Sequence, residues 1–171
     1  MRKPVSAIIA LLVLPGLTAS VRPATAQSKS SADEASIRAL YSKFNDAFNK
    51  KDVDGIMSVY APDVFVFDVV PPREYSGWDA YKKDWQSVFS SFAGPATNTV
   101  TDLNITVVGP VAYARYIDDG TMTAADGTKS HMVVRSTDVW RKQNGKWLIV
   151  QEHNSFPVDL ATGKADTLST P

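Results

Sequence analysis

An α+β fold is predicted for this chain: three N-terminal helices packed on one curved, cone-shaped antiparallel sheet. Three observations carry the prediction. Apolar residues recur at three and four up to about residue 92, and at two from Thr97 onward. Four β-rich runs (97–108, 111–123, 128–142 and 146–156) are separated by Gly109-Pro110, Asp126-Gly127 and Asn144-Gly145, as in a meander. The last of these breaks is a strong two-residue hairpin signal, because Asn and Gly both tolerate the positive φ of a type I′ turn.

The chain has 171 residues, enough for one domain with a core of its own. Its first 26 residues read as a signal peptide. Arg2 and Lys3 are followed by the apolar run Ala7–Leu14, and Ala24-Thr25-Ala26 fits a small-x-small cleavage site. The run is short for spanning a bilayer, and no Cys follows it to anchor a lipid. The expectation is export to the periplasm or the medium, with no stable membrane anchor after cleavage. Cleavage would remove three bases and no acid, leaving 15 bases against 18 acids. Such a mildly acidic chain has no basic patch for a nucleic-acid backbone. The absence of Cys excludes disulfides, thiol catalysis and Cys-ligated metal.

Residues 27–32 are Ser/Lys-rich and read as a flexible leader. Ser31 to Glu34 matches a capping box. Ile37, Leu40, Tyr41, Phe44, Ala47 and Phe48 then mark an amphipathic helix to about Lys50. Asp52 is placed to cap a short second helix, which Ala61-Pro62 stops. Val64–Val70 is a short strand with Asp68 inside it. A third helix begins at Ser76 and carries Trp78, Tyr81, Trp85, Val88, Phe89 and Phe92 on its apolar side, up to Gly94-Pro95. The domain is expected over 33–158, with a loose polar tail at 159–171.

Strict alternation in the last hairpin puts Val134, Ser136, Asp138 and Trp140 on one face of the first strand. On the second strand it puts Val150, Glu152 and Asn154 on one face and Trp147, Ile149, Gln151 and His153 on the other. Acids and Asn beside Val and Trp suit the wall of a partly polar pocket. His153 falls on the face opposite Asp138, and His131 lies near a strand start. No HxH or HExxH spacing is present, so no metal or other cofactor is implied.

The runs KKDVDGIMSVYAPDVFVFD, YSGWDAYKKDW and TDVWRKQNGKWLIVQEHNS, in this order, resemble the nuclear transport factor 2-like superfamily. The nearest branches are the SnoaL-like and ketosteroid isomerase-like ones, with similarity also to the association domain of calcium/calmodulin-dependent kinase II. The resemblance spans Asp33 to Val158 and is specific for fold rather than function. It implies that Asp68 stands at the place of the isomerases' carboxylate base, and Asp138 at that of the protonated Asp that donates to the oxyanion. Phe44 replaces the isomerases' oxyanion Tyr, and Trp85 a second pocket Tyr. Tyr60 and Tyr41 supply hydroxyls nearby. Against the kinase domain, Arg115 in AYARY matches a pocket Arg, while Asp138, Asn154 and Tyr81 replace two other Arg and a His. Arg115 among Asp68, Asp138 and Glu152 reads either as a paired network or as a ligand clamp.

These readings lead to a small-molecule-binding domain acting, where it turns over, as an isomerase or lyase by carboxylate acid–base catalysis on an apolar or carbonyl-bearing ligand. Asp68, Asp138 and Tyr60 would be catalytic. Trp78, Tyr81, Trp85, Arg115, Glu152 and Asn154 would contact substrate. The alternative is a non-catalytic assembly module that dimerises through a face carrying Trp147, Ile149 and His153. A homodimer is expected on either reading.

Overall fold

The computed structural model describes residues 24–169, with side chains from 30 onward. The expected signal peptide lies outside the described residues save its last three. The elements are α1 (Ala24–Asn49), α2 (Val53–Met57), β1 (Tyr60–Phe67), β2 (Tyr75–Ser76), α3 (Trp78–Ser91), β3 (Ala96–Val108), β4 (Val111–Thr123), β5 (Lys129–Gln143) and β6 (Lys146–Ser155). The strands form one sheet in the order β2-β1-β6-β5-β4-β3. β1 runs parallel to β6 and every other pair is antiparallel, so the sheet is mixed rather than wholly antiparallel.

α1 packs along β3, and α3 against β1. α1 buries Ile37, Tyr41 and Phe48, one stripe at helical spacing. It runs through residues 27–32, so Ser31 and Glu34 lie inside the helix rather than at its start. Glu34 instead pairs with Arg38 one turn on, at 2.8 Å. Asp33, beside it, is buried and accepts from Trp147 Nε1 at 3.1 Å and from Lys142, which ties α1 to the β5–β6 hairpin. α2 is capped as expected: the Asp52 carboxylate accepts from Gly55 N at 3.0 Å. A Cβ at Gly55 would stand 2.6 Å from Asp52 Oδ2, so the cap needs glycine there. α3 starts at Trp78, after Ser76 has paired as part of β2.

Asn144 (φ 49°) and Gly145 (φ 81°) both adopt positive φ, and the hairpin forms where the sequence places it. Its second strand departs from strict alternation. Val139 pairs with Gln151 but Trp140 pairs with Ile149, so Val150 is an extra, bulged residue. The bulge moves Trp147 and Ile149 to the inner side, where both are buried with Glu152. Gln151 and His153 remain outward and exposed, with His153 edge-on to Phe67 at 5.6 Å. The expected grouping of Trp147 and Ile149 with His153 therefore does not hold, and the assembly face built on that trio loses its two large members to the core. The first strand keeps its expected face, with Ser136, Asp138 and Trp140 all buried.

Beyond β6 the chain makes a compact turn. Val158 bridges Ala165, and Thr167 O accepts from Val133 N at 2.8 Å, which holds the tail against β5.

Candidate functional site

Between α1, α3 and the inner face of the sheet lies a cavity of about 110 Å³. α1 contributes Phe44 and Phe48; α3 contributes Asp84, Trp85 and Val88; β4 contributes Tyr116, Asp118 and Met122. Asp68, just past β1, and Glu152 and Asn154 on β6 complete its polar wall with Asn98 from β3. Asp68 and Asp118 come from strands three places apart in the sheet, roughly 14 Å of sheet width at ordinary strand spacing. Trp85 meets Phe44, Phe48, Tyr81 and Phe89 with ring centroids 5.6–6.0 Å apart, which fixes the aromatic wall.

The polar groups form one chain. Glu152 accepts from Tyr60 (2.6 Å), Tyr81 (2.7 Å) and Asn154 Nδ2 (2.8 Å). Asn154 Oδ1 accepts from Ser136 Oγ at 2.7 Å, and Ser136 also lies 3.3 Å from Asp118 Oδ2. Asn98 Nδ2 donates to Asp118 Oδ1 at 2.7 Å and to Asn45 Oδ1 at 2.9 Å. A hydroxyl has one proton, so when Ser136 donates to Asn154, its contact with Asp118 is a hydrogen bond only if Asp118 is protonated. Asp138 is fully buried beyond this chain; its Oδ2 accepts from Tyr41 at 2.5 Å, and Tyr41 accepts from Trp140 Nε1 at 3.1 Å.

Burial governs the proton affinities. It pushes Asp68 up to about 7, helped by the charges of Glu152 and Asp84 and opposed by hydrogen bonds from Val69 N and Asn154. Asp118 is pushed up to about 6 by burial, against the hydrogen bonds of Asn98 and Ser136. Asp84 is raised by burial, with the Tyr75 hydroxyl opposing. Burial also raises Glu152, but its three donors favour the ionised form. Burial and then the Glu152 charge hold Asp138 well above the usual carboxylate range. Of that pair, Asp138 is the one that keeps a proton.

A model of the SnoaL-like domain matches residues 37–159. The chain belongs to the SnoaL-like domain family. Among solved structures, this SnoaL-like domain is similar to a nuclear transport factor 2-like protein of unknown function from Pseudomonas putida, at 29% identity and TM-score 0.76, over 83% of this chain and 99% of that one. It shares its fold with a candidate scytalone dehydratase from Novosphingobium aromaticivorans (15% identity, TM-score 0.68, 75% of this chain and 86% of that one). It shares it also with a candidate calcium/calmodulin-dependent protein kinase II association domain from Xanthomonas campestris (21% identity, TM-score 0.61, 69% and 83%). A comparison with curated proteins gives no match.

In this SnoaL-like domain Asp68, Trp85, Glu152 and Asn154 meet at the cavity. Tyr60 and Tyr81 stand behind its surface, spent on Glu152. Asp138 is likewise withdrawn, so it supports Tyr41 and does not line the cavity. Two expected residues lie elsewhere. Arg115 is exposed on the outer side of β4: Ala114 and Tyr116 point inward, so the residue between them points out. It is therefore neither a clamp in the cavity nor a partner of its carboxylates. Trp78 lines a separate surface groove with Tyr60 and Ser76, and its Nε1 donates to Met57 O at 2.9 Å. Sequence reasoning missed Asp84, Asn98, Tyr116 and Asp118. The alternation of Ala112, Ala114, Tyr116 and Asp118 on β4 was the available signal for the last two.

The raised carboxyls set a pH dependence of stability. Folded Asp68 keeps its proton to about 7, whereas an ordinary Asp gives it up near 3.8, so this term favours the fold at low pH and is lost as pH rises through about 7. Asp118 adds the same sign up to about 6. The melting temperature is expected to fall by several degrees between about pH 5 and pH 7.5, and Asp68→Asn to flatten that fall. Differential scanning fluorimetry across this range checks it; a melting temperature rising over the window contradicts the assignment.

Proposed function

We propose that this SnoaL-like domain is an exported small-molecule-binding protein that carries out cofactor-free proton transfer on a carbonyl-bearing ligand, as an isomerase or lyase. The observation that carries the reading is Asp68: a carboxyl on the wall of an aromatic cavity, with a proton affinity close to neutral pH. Ionised Asp68 takes a proton from the carbon next to the carbonyl, and the C–H electron pair moves to the oxygen as an enolate. Asp68 then returns the proton to a neighbouring carbon, which completes an isomerisation. In an elimination the enolate instead expels a β-hydroxyl, which leaves as water with the proton of Asp118.

The enolate oxygen needs a donor. Phe44 has none, and Asp138 does not line the cavity. Trp85 Nε1 is buried, its ring lines the cavity, and it has no hydrogen-bond partner among the described residues. It fills the role of oxyanion donor. The candidate dehydratase among the structural neighbours is in keeping with this chemistry.

Solvent-deuterium incorporation into a panel of aryl and cyclic ketones, read by mass spectrometry, tests the reading. The expected result is exchange next to the carbonyl above the buffer rate, and a loss of about 10²-fold in kcat/KM for Trp85→Phe. Ketones that bind without any such exchange would overturn the catalytic reading and leave a binding protein.

A further inference from the structure

The polar wall of the cavity is one-sided. Asp68, Asp84, Asp118 and Glu152 line it, and among the described residues no Lys, Arg or His does. The carboxyls are coupled: the charges of Glu152 and Asp84 act on Asp68, and that of Asp68 acts on Asp118. Elsewhere this chain does pair its acids with bases. Asp63 holds Arg141 at 2.8 Å, Asp54 holds Lys82 at 2.6 Å, and Asp119 holds His131 at 2.7 Å, all at the surface. Arg115 on β4 and Arg135 on β5, the cations next to the cavity-lining Tyr116 and Val134, face outward and are exposed. Among the described residues, the cavity acids are thus left without a positive partner.

Beside them stands an electron-rich wall of Phe44, Phe48, Trp85 and Tyr116. Aromatic faces and uncompensated carboxylates attract the same kind of group, a weakly hydrated organic cation. Trp85, whose ring lines the same cavity, carries a buried Nε1 with no hydrogen-bond partner among the described residues, a donor that a ligand acceptor would satisfy.

We infer that the cavity selects a small organic cation, a protonated or quaternary amine attached to a carbonyl-bearing ring compound, and rejects organic anions. This inference rests on the reading of the cavity as a site for carbonyl ligands and names the charge of the ligand. The ammonium sits among Asp68, Asp118 and Glu152, and the carbonyl oxygen accepts from Trp85. The carboxylate charge that burial discourages in the empty cavity is stabilised when the cation enters. Binding then releases protons from Asp68 and Asp118, so affinity for a cation rises with pH while affinity for a neutral ketone does not. The titratable groups facing Asp68 are Glu152, Asp84, Tyr75, Tyr81 and Asp118, all acidic. None of them reverses the sign.

Three probes of one shape decide it: phenacyltrimethylammonium, its uncharged carbon isostere 3,3-dimethyl-1-phenylbutan-1-one, and the anion benzoylacetate. Each is titrated calorimetrically into the full chain near pH 5.5 and near pH 7.5. The expected result is that the cation binds at least about tenfold tighter than the isostere at the higher pH, competes with it for one site, and loses much of that advantage at the lower pH. The anion binds weakest. If isostere and cation bind equally and competitively, the charge preference is wrong and the carbonyl site stands. If the cation binds without displacing the isostere, its site lies elsewhere and the inference fails. If no probe binds, both this inference and the carbonyl reading fall.

Discussion

Asp68→Asn is expected to lower turnover of a neutral carbonyl ligand by about 10²–10⁴-fold while leaving its affinity nearly unchanged. The amide keeps the shape of the side chain and can still accept from Val69 N, which donates to Asp68 Oδ1 at 2.6 Å. What it loses is the capacity to take a proton. The pH–rate profile separates this role from a structural one. The wild-type rate should rise through about pH 7 as Asp68 ionises, and the residual rate of the variant should lose that inflection. A variant that keeps both rate and inflection would move the base to another carboxylate, with Asp118 next in line.

The second large effect concerns stability. Tyr41→Phe keeps the ring, which packs edge-on against Tyr116 at 4.8 Å and Trp140 at 5.2 Å. It removes a hydroxyl that donates to Asp138 and accepts from Trp140 Nε1. Asp138 Oδ1 already has no hydrogen-bond partner among the described residues, so the variant leaves a fully buried carboxyl and an indole N–H unmatched at once. Each orphaned group costs about 1–3 kcal/mol, so the loss is about 2–6 kcal/mol. That corresponds to a melting temperature lower by roughly 5–20 °C for a chain of this size. Urea or thermal unfolding measures it. A change within about 2 °C would show that Asp138 finds another partner, with Tyr116 the nearest in kind.

The limits of β3 to β6 were legible to within a residue or two, because Gly, Pro and Asn mark where the chain must turn and such turn chemistry is local; β1, expected over 64–70, runs Tyr60–Phe67 instead, and β2 was not foreseen. The inward face of β5 was legible for the same reason: Ser136, Asp138 and Trp140 obey period two without interruption. Three features were not readable with the same ease. The bulge at Val150 depends on pairing with two neighbours, β5 and β1, and leaves no mark of its own in the residues 146–155. The depth of Asp138 depends on Tyr41, 97 residues away, lying against it. Arg115 matched a family position, yet its flanking Ala114 and Tyr116 contradicted that placement by simple alternation. A motif match carried less weight there than the local period deserved. The same period points to Asp118, which the family comparison did not single out.

The extra residue in β6 has a consequence for the electrical character of the cavity. In a strand where Val150 paired regularly in place of bulging, the core would still claim Trp147 and Ile149. The residues after them would then turn over, bringing Gln151 and His153 inward and sending Glu152 and Asn154 to solvent. The hydroxyls of Tyr60 and Tyr81 would meet an amide or an imidazole in place of a carboxylate. The β6 wall of the cavity would lose its carboxylate, while Asp68, Asp84 and Asp118 stayed. The acidity of that wall is thus encoded in one unpaired residue, and a deletion of Val150 would join Ile149 to Gln151 in regular pairing and keep Glu152 inward.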